Sequence, residues 1–146
     1  MGTENRSFNE KMKLTYISTT PENILRELAK DNEWVIRYNV AKHPNTPKDL
    51  LRQLAKDTDE GVRRHVAENP NTSEKVLRNL AKDKYWYVRR TLAENPNVSI
   101  TVLIMLFEYE NNCKKPAETI LQALYKNPKL PYVAKVIIET LYGEML

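Results

Sequence analysis

The sequence predicts an all-α fold of stacked helix pairs, and three features carry that expectation. Residues 20–97 spell one 26-residue unit three times, opened by Thr20, Thr46 and Thr72 and closed by Asn45, Asn71 and Asn97. Each unit holds two stretches of helical apolar spacing. The second stretch of each unit runs into a proline (Pro44, Pro70, Pro96), which cannot continue a helix and biases the residue before it away from the α region. Two short helices with tight joints leave no room for strands. A unit this small cannot bury a hydrophobic face alone, so the copies must stack into an elongated scaffold.

The elements follow in chain order. Residues 1–15 read as a flexible leader and 16–146 as a single α-solenoid domain, with residues 13–18 able to pack as an N-terminal cap. In the copies at 20–45, 46–71 and 72–97, helix A carries Ile24, Leu25, Leu28 and Ala29, matched by Leu50, Leu51, Leu54, Ala55 and by Val76, Leu77, Leu80, Ala81. Thr20, Thr46 and Thr72 stand where N-caps belong, and Asp49 makes a near capping box with Thr46. Asp31, Asp57 and Asp83 end helix A and are expected to cap helix B. Helix B carries the pairs Ile36/Val40, Val62/Val66 and Val88/Leu92, spaced to share one face. Ala41, Ala67 and Ala93 let neighbouring helices approach closely.

The fourth copy, 98–129, is degenerate. Val98, Val102, Leu103, Leu106 and Phe107 keep helix A, while Ile104 and Met105 replace polar residues at outward positions. Pro96 and Pro128 are six residues further apart than the period, which predicts a longer joint over 108–115. A capping helix within 130–146 carries Val133, Val136, Ile137 and Leu141. Terminal repeats are expected to be atypical because they close the stack.

Composition narrows the function. Hydrophobic residues make up 41% and charged residues 29%, which indicates a folded globular chain rather than a disordered one. The net charge of +4 comes mainly from the third copy, so general nucleic-acid affinity is weakly supported. The single cysteine, Cys113, excludes an intrachain disulfide and any multi-cysteine metal site. No apolar run is long enough for a bilayer, and the start lacks a secretory h-region. A cytoplasmic protein without membrane contact is expected.

The strings Leu54-Ala55-Lys56-Asp57, Val62-Arg63 and Val66-Ala67-Glu68-Asn69-Pro70, repeated as Leu80-Ala81-Lys82-Asp83, Val88-Arg89 and Leu92-Ala93-Glu94-Asn95-Pro96, resemble the leucine-rich repeat variant family, a relative in style of HEAT-type repeats. The resemblance covers residues 20–97 well and 98–141 loosely. It implies a right-handed superhelix of paired helices, and for function little beyond macromolecular recognition. Some members of that family hold an iron–sulfur cluster in a separate cysteine-containing segment. Cys113 alone cannot supply those ligands, and no cofactor is expected.

Two sets of charges recur. Asp31, Asp57, Asp83 and Arg37, Arg63, Arg89 stand at fixed positions, with each arginine on the flank of the core face. They read as an Asp–Arg structural ladder or as a phosphate-binding row. The ladder is preferred, because opposite charges at a core margin usually mark structure. Arg26, Arg52 and Arg78, with Lys30, Lys56 and Lys82, form a second basic stripe on helix A. Such a stripe is ordinary for a solvated face.

The outer face of helix B changes from copy to copy. It holds Trp34, Tyr38 and Lys42, then Glu60, Arg64 and Glu68, then Trp86, Arg90 and Glu94, with Tyr85 and Tyr87 alongside. Both tryptophans fall here, and Tyr, Trp and Arg are enriched in binding hot spots. The alternative is that Trp34 and Trp86 cover gaps between helices. Trp34, Tyr38, Arg64, Tyr85, Trp86 and Arg90 are therefore the candidate binding residues for a protein or peptide partner on a concave face. A nucleic acid stacked on the tryptophans and held by Arg64, Arg90, Lys82 and Lys84 is the competing partner. No catalytic constellation emerges: His43 and His65 occupy different repeat positions, and no Gly-rich phosphate loop or metal-ligand spacing is present. The expectation is a non-enzymatic scaffold.

Overall fold

A computed structural model describes residues 2–3 and 5–146, apart from the side chain of Met145. Met1 and Glu4 of the expected leader lie outside the described residues. Among the described residues every regular element is helical. The chain divides into two compact units, Met1–Ser73 and Glu74–Leu146.

The first unit holds α1 (Phe8–Tyr16), α2 (Glu22–Leu28), α3 (Trp34–Lys42), α4 (Lys48–Leu54) and α5 (Glu60–Glu68). Helix α1 covers Phe8–Tyr16, most of which falls in the segment read from sequence as a flexible leader. Ser7 and Glu10 form a capping box, and Lys11 Nζ reaches Asp31 Oδ2 at 2.7 Å. Thr3 N–H donates to Glu27 at 2.8 Å, and α1 packs on α3. A weak apolar stripe hid this helix, which local capping and a tertiary ion pair hold in place. Helices α2 and α4 are seven residues long, too short to persist alone in water. They are held by burying Leu25, Leu28, Leu50, Leu51 and Leu54, each at most 3% exposed, against α3 and α5.

The opening threonines are not N-caps. Pro21 and Pro47 occupy that position with extended backbone and no side-chain cap. The buried hydroxyls of Thr46 and Thr72 turn back to donate to the carbonyls of Val40 and Val66. These are the carbonyls that Pro44 and Pro70, lacking an N–H, cannot serve by the usual i→i−4 bond. Proline ends helix B and threonine takes over the missing donor. Thr46→Val, which keeps the shape and removes the hydroxyl, is expected to cost about 1 kcal/mol, measured by urea denaturation. Asp49 likewise does not cap. Its carboxylate meets the Arg26 guanidinium at 2.7 and 2.9 Å.

Helix B of each copy ends at a C-cap with extended backbone: His43, Asn69, Asn95 and Asn127. Asn69 Nδ2 donates to Ala41 O at 2.8 Å and His43 O at 3.0 Å, while its Oδ1 accepts from Asn71 N at 2.9 Å. Asn127 repeats this with Ala93 O at 2.7 Å and Lys129 N at 2.9 Å. One amide thus satisfies orphaned carbonyls of an earlier helix and shapes its own turn. His43 fills the role differently, accepting from Asn45 N at 3.1 Å through Nδ1 and facing Ile17 O at 3.0 Å through Nε2.

The second unit holds α6 (Glu74–Leu80), α7 (Trp86–Glu94), α8 (Ile100–Asn111), α9 (Glu118–Lys126), α10 (Tyr132–Tyr142) and a 3₁₀ turn, Gly143–Met145. Helix α7 packs on α9, and α8 packs on α6, α7 and α9. The six additional residues do not simply lengthen a joint: α8 runs on to Asn111, and only a short segment separates it from α9. Glu110, fully buried, rewards the extra turn. Its carboxylate takes Arg89 Nε and accepts from the N-cap amide of Ala117 at 3.0 Å. Helix α10 also departs from expectation. It buries Ala134 and Ile138, while Val133 is 69% and Leu141 60% exposed.

Candidate protein-binding site

The recurring Asp and Arg side chains are placed by the joints between helices A and B. Asp31, Asp57 and Asp83 are not helix N-caps. Their Oδ1 atoms accept from Glu33, Asp59 and Tyr85 N–H at 3.0, 3.0 and 2.9 Å, forming Asx turns that lead into helix B. In α5 the cap is Asp59, which accepts from Val62 N at 3.0 Å. Arg37 forks onto Asp57 at 2.7 and 2.9 Å. Its Nη1 closes its own joint on Asp31 O at 2.8 Å. Arg63 and Arg89 make the same closure on Asp57 O and Asp83 O, and both are buried. Burial pushes the Asp57 carboxyl up, but the Arg37 fork and the Asp59 amide outweigh it and hold its pKa below the ordinary value. Asp31 is held low in the same way, with Lys11 as its cation. The guanidinium groups are spent inside the fold rather than presented to a phosphate.

In the first unit the variable helix-B positions build a packed aromatic cluster. Trp34 and Tyr38, one turn apart on α3, meet edge to face with ring centroids 5.9 Å apart. Tyr38 in turn meets the His65 ring edge to face at 4.1 Å. Gly61 makes room for this. A Cβ there would lie 3.4 Å from the Tyr38 ring and 3.0 Å from the capping carboxylate of Asp59. His65 Nδ1 pairs with Glu68 at 2.7 Å, and its buried Nε2 has no hydrogen-bond partner among the described residues. Burial lowers the His65 pKa despite the opposing pull of Glu68. Arg64 is exposed and pairs with Glu68 at 3.1 Å. Tyr38 is thus half-buried packing, while Trp34 stays 48% exposed.

In the second unit the equivalent positions leave space. Tyr38 and His65 correspond in the sequence register to Arg90 and Ala123, and between α7 and α9 lies an open groove of about 290 Å³. Ala93 and Ala123 line it with small side chains, Pro96 and Pro128 close one end, and Arg90 and Lys126 bring positive charge. Arg90 is steered by Glu94 at 2.7 Å. One turn before Arg90, Trp86 stacks on Tyr87 with centroids 3.7 Å apart. These two rings are 37% and 53% exposed. Tyr85, the N-cap of α7, lies under Lys84 Nζ at 5.1 Å.

The sequence pattern pointed to Trp86, Tyr85 and Arg90 but not to Ala123, Gln122 and Lys126, because the fourth copy's altered spacing obscured the register of α9. Cys113 is half-buried and its thiol donates to Tyr109 O at 3.2 Å. Among the described residues no group of His, Cys, Asp and Glu is placed to hold a metal ion. No described helix is long and apolar enough to cross a membrane. The chain matches no protein-family model, no curated protein and no solved structure.

Proposed function

We propose that this chain is a non-enzymatic, cytoplasmic repeat scaffold of the leucine-rich repeat variant kind, a right-handed α-solenoid of 26-residue helix pairs that captures an extended protein segment on its helix-B face. The α7–α9 groove carries this reading. An open groove with Ala93 and Ala123 in its lining, one helical turn along α7 from the exposed Trp86–Tyr87 stack, suits a side chain of a bound segment, and Arg90 and Lys126 suit its backbone carbonyls or an acidic neighbour. The repeat reading is supported by the recurrence of one bond set, since Arg37–Asp57 and Asn69–Ala41 in the first unit correspond to Arg89–Glu110 and Asn127–Ala93 in the second.

Trp86→Ala combined with Arg90→Ala is the test, with partner capture from lysate quantified against the parent chain. Both side chains are partly exposed, so the fold persists, checked by circular dichroism. A drop in capture of about tenfold or more is expected. Unchanged capture would show the site assignment to be wrong. Binding of single-stranded RNA that weakens steeply with salt would replace the protein partner by a nucleic acid.

A further inference from the structure

We infer that the outer face of α10, continued by α8, is a self-association surface that pairs with the same face of a second copy of this chain, α10 against α10 in antiparallel orientation. In the sequence register, the outward positions held in α4 by Lys48, Arg52 and Gln53 and in α6 by Glu74, Arg78 and Asn79 become Ile100, Ile104 and Met105 in α8. In α10 they become Tyr132, Val136 and Ile137. Tyr132 is 80% exposed, Val133 69% and Ile100 50%. Bonds link the two helices just before their first turns and at their last turns. Lys129 Nζ donates to Val98 O at 3.4 Å, and Tyr142 OH meets Asn111 Oδ1 at 3.2 Å. An uncharged face over two adjacent helices is what a soluble surface avoids unless a partner covers it.

Two observations select a second copy as that partner. A further helix pair stacked on α10 would need apolar groups where Leu51 and Leu103 stand and where Ala81 and Phe107 stand. Those positions in α10 are Lys135 and Glu139, so α10 is not built to continue the stack. These two charges are opposite in sign, one turn apart, on one edge of the apolar face, with Glu139 held there by Tyr125 OH at 3.1 Å. A two-fold axis near Ile137 sets Lys135 across from Glu139 of the second copy, and Val133 across from its Leu141. An isologous interface requires this self-complementarity, and in antiparallel helix pairs residues on the same edge face each other.

Sedimentation of the full chain from micromolar to hundreds of micromolar tests the inference. A concentration-dependent dimer is expected. Val133→Glu with Val136→Glu, both at solvent-exposed positions, should weaken it about a hundredfold with unchanged circular dichroism. Lys135→Glu should weaken it about tenfold. Adding Glu139→Lys in the same chain should restore it to within about threefold of the parent. A monomer at every concentration, a dimer indifferent to the valine changes, or a charge swap that fails to restore association would each overturn the proposal. The failure of restoration would specifically indicate a pairing in which Lys135 does not face Glu139 of the second copy.

Discussion

Glu110→Ala is expected to destabilise the second unit by about 3–5 kcal/mol, because it breaks a buried ion pair by removing one partner. Glu110 is fully buried and Arg89 is 8% exposed. Without the carboxylate, Arg89 keeps the carbonyls of Asp83 and Lys84 and the face of the Tyr109 ring, and its charge loses its anionic partner. The Ala117 amide at the start of α9 also loses its acceptor. The chain has two tryptophans, one in each unit, so Trp86 fluorescence in a Trp34→Phe background reports on the second unit. The denaturation midpoint seen by Trp86 should fall sharply. Replacing both partners, Arg89→Met with Glu110→Leu, should cost much less than the single change, since no unpaired charge remains. A single-variant loss below about 1 kcal/mol would mean that the pair is not what holds α7 to α8.

Asp57→Ala is expected to cost the first unit about 2–4 kcal/mol, and the loss should depend on pH. The change removes both bonds of the Arg37 fork and the acceptor for the Asp59 amide. The folded-state pKa of Asp57 lies below its ordinary value. The unfolded chain therefore binds the proton first as pH falls. The stabilisation is complete above the unfolded pKa of roughly 4 and disappears as pH falls through the folded value. The stability gap between parent and variant should be constant from about pH 5.5 to 7 and shrink below about pH 4. A gap that widened on acidification would contradict the Arg37 pairing. Asp57→Asn, which retains an acceptor for the Asp59 amide, should recover part of the loss at neutral pH.

Helix positions were legible because their causes are local. Leu50, Leu51 and Leu54 form a stripe that only a helix can bury together, and Pro44 and Pro70 each stop a helix by chemistry confined to one peptide unit. The partners of the fixed polar letters were less legible. Thr46 looks like an N-cap in a linear reading. It instead donates to a carbonyl six residues back, an arrangement that exists only once proline has ended helix B and the chain has turned. Asp57 reads as a cap but works as a turn acceptor and as the counter-ion of an arginine twenty residues earlier. Helix α1, lacking a strong stripe, was hidden because a capping box and a contact with Asp31 define it.

The candidate site divides along the same line. Trp34 and Trp86 occupy one repeat position and look equivalent in the sequence. Tyr38, Gly61 and His65 fill the space beside the first, while Arg90 and Ala123 leave it open beside the second. By itself the sequence determined that the chain is helical, where proline stops helix B, and which faces of the repeated helices are apolar, since periodicity and proline act over a few residues. Only the tertiary structure decided where a groove remains, which charges are consumed internally and which apolar face α10 leaves uncovered. Those outcomes depend on side-chain volumes and partners brought together from copies twenty or more residues apart.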